Sequence, residues 1–135
     1  MKRIFLLLAV LCMFSCKKEK AIRQLQKDIA GAWELAKYSG YPFNQLPYPP
    51  GNGNIIMLDE NGGFTRMKHD TVLFRGNYHI DSKKDCYNSP HDKAFYTNET
   101  NSGNYNYIFI DSGRLVFSTP NCFIDGGDTY FRRLK

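Results

Sequence analysis

NIIMLDENGGFTRMKH, residues 54–69, decides the fold. An apolar run from Asn54 to Leu58 and a mixed run from Phe64 to His69 flank Asp59-Glu60-Asn61-Gly62-Gly63. Asn and Gly accept the positive φ angles of tight hairpin turns, so the stretch reads as two antiparallel strands. On its C-terminal side Thr71 to Ile80 alternates, with Phe74, Gly76, Tyr78 and Ile80 on one face and Arg75, Asn77 and His79 on the other. Ala94 to Thr97 is a weaker strand. Tyr105 to Ile110 and Arg114 to Ser118 flank Asp111-Ser112-Gly113 as a second hairpin, and Thr129 to Leu134 closes the chain as a strand. On the N-terminal side GAWELAKY, residues 31–38, puts Trp33 and Leu35 on one side and Glu34 on the other. Residues 41–53 hold four of the six prolines and read as one long loop without a regular strand.

Eight short strands with no helix between them imply an all-β fold, an antiparallel up-and-down eight-stranded β-barrel whose closure removes exposed edges. Such a barrel has room for packed side chains or one small ligand. Leu35, Leu58, Phe74, Tyr78, Tyr107 and Phe117 are the expected interior. The period-two set Tyr105, Tyr107 and Phe109 is read as facing inward rather than as a base-stacking platform.

The net charge of +5 over 135 residues is mild, and the basic residues are scattered, so no nucleic-acid partner is expected. His69, His79 and His91 lie on or beside three different segments, so no metal site is read. Ser112 sits in a hairpin turn rather than a strand-to-helix elbow. Asp59, Glu60, Asp125 and Asp128 fall in turns, where Asp serves local hydrogen bonding. No cofactor motif is present, and the chain reads as a non-enzyme. Of the four cysteines, Cys86 and Cys122 remain as an even pair once Cys12 and Cys16 are accounted for below. They are read as a disulfide, the alternative being two reduced, buried thiols.

Lys2-Arg3, the unbroken apolar run Ile4 to Phe14 and Ser15-Cys16 resemble a bacterial lipoprotein signal peptide. The run is too short to span hydrocarbon, which takes roughly 20 residues. The resemblance implies that residues 1–15 are removed and that Cys16 carries the acyl (palmitate) chains, leaving a mature chain of charge +3. Lys17 after that cysteine implies the outer membrane. Residues 16–27 would then be a lipidated tether in which Ile22, Leu25 and Ile29 recur at helical spacing, and residues 28–135 a single barrel domain.

Gly31-x-Trp33-x-Leu35, the long connection after it and Tyr130-x-Arg132 resemble lipocalin-like domains. The resemblance implies that Trp33 closes one end of the barrel with Arg132 across its indole, Arg133 being a possible substitute. It also implies a mouth at the other end, where Tyr41, Phe43, Leu46, Tyr48, Phe74, Tyr78 and Tyr107 are candidates to contact a small hydrophobic ligand. Two functions remain open: a lipid-anchored binding module of the envelope, or a protein-interaction module such as a lysozyme inhibitor or an accessory subunit of an outer-membrane complex.

Overall fold

The computed structural model describes residues 17–84, 89–99, 104–120 and 126–135. Residues 17–29 are helical (α1). Nine strands follow: β1 Gly31–Gly40, β2 Phe43–Pro47, β3 Asn54–Leu58, β4 Gly63–Lys68, β5 Thr71–Ser82, β6 Lys93–Thr97, β7 Asn106–Asp111, β8 Arg114–Ser118 and β9 Gly127–Arg133. Strands β3 to β9 pair antiparallel in chain order, and β1 lies between β3 and β9, so the sheet closes. The result is an eight-stranded antiparallel up-and-down barrel, consistent with a lipocalin-like fold, with β2 added beside β1.

The added strand corrects the expectation of an unbroken loop over residues 41–53. Pro47 pairs with Lys37 and Leu46 with Tyr38, while Ile55 pairs with Glu34 and Leu58 with Gly31. Both pieces therefore run along one edge of β1, as a single strand interrupted at residues 48–53. The interruption follows from the prolines: Pro47, Pro49 and Pro50 have no N–H to give the ladder. Gly51 and Gly53, at φ 78° and 71°, then turn the chain back into β3. Phe43-Asn44-Gln45-Leu46 is proline-free and needs donors on one side only, because β2 pairs with β1 alone.

Alternation sorts the side chains into an inner and an outer set. Trp33, Ile56, Leu58, Phe64, Tyr78, Ile80, Phe95, Ile108 and Leu115 form the buried interior cluster. Rings cross it in contact: Phe64 to Phe95 at 6.1 Å between centroids, Tyr78 to Phe95 at 5.1 Å, Phe95 to Phe117 at 4.9 Å and Phe117 to Phe131 at 5.7 Å. Gly76 pairs with Phe64, and a Cβ there would lie 2.6 Å from the Phe74 ring, so only glycine lets that ring fold back over the strand.

Tyr107 and Phe109 do not face this interior, contrary to the sequence reading. They alternate with Ile108, which does, and Tyr107 pairs with Ala94 and Ser118 on the outer face. The outer face of β6 to β8 carries a core of its own: Ala94, Tyr107 and Val116 are buried. His91 stacks on Phe109 at 3.7 Å, and Tyr105 packs edge-on against Tyr107 at 5.6 Å. An alternating aromatic run is buried in either orientation when the outer face is also covered, which the pattern by itself does not distinguish.

Candidate functional site: the open end of the barrel

The two ends of the barrel differ. At one end Ile22 and Leu25 of α1 pack on the interior cluster and Ile29 is fully buried, so the expected apolar edge forms and extends through the segment read as a tether. Two side chains lock the helix C-terminus, whose last carbonyls lack intrahelical donors. The Trp33 indole Nε1 donates to the Ile29 carbonyl at 2.7 Å. The Arg133 guanidinium donates to the carbonyls of Asp28 and Ala30 and lies 4.3 Å from the centre of the indole ring. The arginine across Trp33 is therefore Arg133, not Arg132. Gly31 accommodates it: φ is 133°, and a Cβ would meet Arg133 Nη1 at 3.0 Å.

Arg132 points to the outer face, because it pairs in register with Glu34 while Arg133 pairs with Trp33. Glu34 is 3 % exposed, yet it is well satisfied. Its carboxylate accepts from the backbone N–H of Gly51 at 3.0 Å and of Gly53 at 3.2 Å, and Arg132 Nε stands 3.5 Å away. Arg132 also donates to the carbonyls of Leu35 and Tyr48. Residues 48–53 are thus held on the outer wall of β1, over the break between β2 and β3, and are not a rim over the mouth. Sequence reasoning assigned Glu34 only to the face opposite Trp33; the Pro-Pro-Gly-Asn-Gly run after it was the signal that a local acceptor would be needed.

At the same end Tyr78 donates its hydroxyl to the Asp59 carbonyl at 2.7 Å, inside the turn that joins β3 to β4. Burial, with the Asp59 and Glu60 carboxylates beside it, pushes its pKa up to about 12. Tyr78 therefore belongs to the closed half of the core, and Tyr107 to the outer core; neither reaches the mouth.

The other end has no helix across it among the described residues. Leu35, Tyr38, Phe74, Phe117 and Phe131 share the inner face with the buried cluster through their registers, yet each keeps part of its surface accessible. Arg66, on the same face as Phe64, forms an ion pair with Glu99 from the segment after β6. The accessible interior is thus an apolar, aromatic surface with a charged pair beside it. Of the remaining candidates, Leu46 and Tyr48 are half-buried on or just after β2, Tyr41 is 73 % exposed at the top of the β1–β2 connection, and Phe43 opens β2.

Cys16, Cys86 and Cys122 lie outside the described residues. The three histidines are held apart: His69 is in the β4–β5 turn with its N–H on the Gly53 carbonyl, His79 stacks on Tyr96, and His91 on Phe109. Among the described residues no group of three His, Cys, Asp or Glu side chains could hold a metal ion, and no helix is long and apolar enough to cross a membrane. Ser112 has φ 50° and donates to Asp111, consistent with its role in the turn. In comparisons with known proteins, no family model, curated protein or solved structure matches the chain.

Proposed function

We propose that this protein is a lipid-anchored, non-enzymatic lipoprotein of the bacterial envelope whose barrel takes up a small apolar or amphipathic molecule through its open end. One observation carries the binding half: the inward-facing Leu35, Tyr38, Phe74, Phe117 and Phe131 are left incompletely buried while the opposite end is sealed by α1. Apolar surface inside a concavity with a few polar groups at its edge is the usual chemistry of a small-molecule site. Photolabelling in membranes with an alkyl diazirine is the test. Labels on peptides containing Leu35, Phe117 and Phe131, lost in Phe117→Arg, support the reading; labelling that leaves these peptides unmarked ends it.

Anchoring rests on the basic pair, apolar run and Ser15-Cys16 of the N-terminus. Acyl chains at about 0.8 kcal/mol per buried methylene make release rare, and Lys17 favours the outer membrane. A Cys16→Ala protein should move from the detergent to the aqueous phase on partitioning; unchanged partitioning removes the anchor.

A protein-interaction role has its own observation. Tyr41, on the β1–β2 connection, and Val72 and Leu73, at the start of β5, are 73 %, 44 % and 52 % exposed, all near the end of the barrel opposite α1. Replacing the three with Ser would abolish partner capture and leave diazirine labelling of the interior intact if this second reading holds.

A further inference from the structure

At the closed end, α1 and the β5–β6 connection bound a cleft of about 410 Å³. Its charged lining is Lys17 and Lys18 from α1, Lys83 and Lys84 after β5, and Asp92 and Lys93 before β6. Among the described residues that line it, Lys17, Lys18 and Lys84 add exposed ammonium groups to Lys83 and Lys93, and the Asp92 carboxylate is already matched by Lys93 Nζ at 2.8 Å. Lys83 lies with its Nζ 4.6 Å from the centre of the Tyr105 ring. Like charges gathered on a concave surface repel one another, and an anion that enters relieves that repulsion while gaining several donors at once. Lysine, as a compact point charge with three donors, suits a phosphate.

We propose that this cleft binds the phosphate headgroup of an anionic lipid. The argument for a lipid rather than a soluble phosphate is position, and it rests on the anchored reading above. α1 runs directly on from residue 16, so the cleft opens at the end of the barrel nearest the attachment point. The closed end then lies on the bilayer and the open end faces away from it, which leaves the mouth free to meet its ligand from the aqueous side.

The test is co-sedimentation of the full chain with vesicles, comparing phosphatidylglycerol with phosphatidylcholine. Residues 4–14 and any acyl chain act alike on both, so the ratio of the two affinities reports the charged groups, stays readable even if the anchor reading fails, and is assigned to the cleft or to the surface at large by comparing two triple variants. The ratio should favour phosphatidylglycerol and shrink at high salt. It should fall about five-fold per lysine removed in Lys17→Gln/Lys18→Gln/Lys84→Gln. A control that loses three charges elsewhere, Lys37→Gln/Lys68→Gln/Arg75→Gln, should retain most of it. A ratio that survives the first variant, or falls equally in both, overturns the assignment. So does binding of free pyrophosphate to the lysines with no discrimination between the vesicles.

Discussion

Glu34 and Arg132 face each other on the outer wall of the barrel, 3.5 Å apart across the β1–β9 pair, and together they close the gap where the neighbouring strand breaks. Two backbone N–H groups hydrogen-bond the carboxylate, while Arg132 Nε meets it as an ion pair without a hydrogen bond. Glu34→Ala would remove the acceptor of both N–H groups, that of Gly53 being buried, and the charge facing Arg132, which keeps the Leu35 and Tyr48 carbonyls, a loss of about 1–3 kcal/mol. Urea unfolding should show it as a lower midpoint. Glu34→Gln, which keeps an acceptor, should lose distinctly less.

Arg133→Ala removes the cation over Trp33 and two donors to the end of α1. The expected cost is about 1–3 kcal/mol. Trp33 is the only tryptophan, so its emission reports the change directly: a red shift is expected as the closed end loosens. Arg132→Ala should leave the emission in place, which separates the roles of the two adjacent arginines.

Tyr78 gives the fold a signature in alkali. Its folded pKa of about 12 lies above the ordinary value of 10.0, so the folded state holds the phenolic proton more tightly than the unfolded chain does. That contribution is fully present below pH 10 and is lost as pH rises toward 12. Tyr78→Phe should flatten the decline of stability between those values, at a cost of about 1 kcal/mol at neutral pH for the lost hydrogen bond to Asp59.

Most of the barrel was legible because most strands carry a period-two pattern and two hairpin turns carry Asn or Gly, whereas the β4–β5 turn uses His69 at φ 52°. Asp111-Ser112-Gly113 is one such turn, with φ 50° at Ser112 and 76° at Gly113. Gly31 and Trp33 marked the closed end correctly. What escaped was anything decided by which face of a strand is covered. Tyr107 alternates as an interior residue should, yet sits on the outer face beneath His91 and Tyr105. Arg132 and Arg133 are neighbours in sequence, and only the register with β1 tells which one meets the indole. Prolines misled in the other direction: Pro42 and Pro47 bracket an edge strand that they do not forbid. The lysine cleft joins residues 17 and 93 through the fold, and no local pattern announces it.

If Cys86 and Cys122 are bridged in the envelope, both should resist alkylation of the folded protein until it is reduced. The bond would close a loop of roughly 37 residues, and its reduction would cost about 3–4 kcal/mol. Free alkylation of both thiols without a reductant would show that they are unpaired.

The central claim is that the partly accessible aromatic interior holds a small molecule. The most direct measurement is native mass spectrometry of the protein purified from its native cells in mild detergent. The expected result is an additional non-covalent mass of small-molecule size, removed by gentle activation and absent from Phe74→Arg and Phe117→Arg proteins that retain the wild-type unfolding midpoint. A single bare species in every preparation, unchanged when extracts of the same cells are added back, would contradict it.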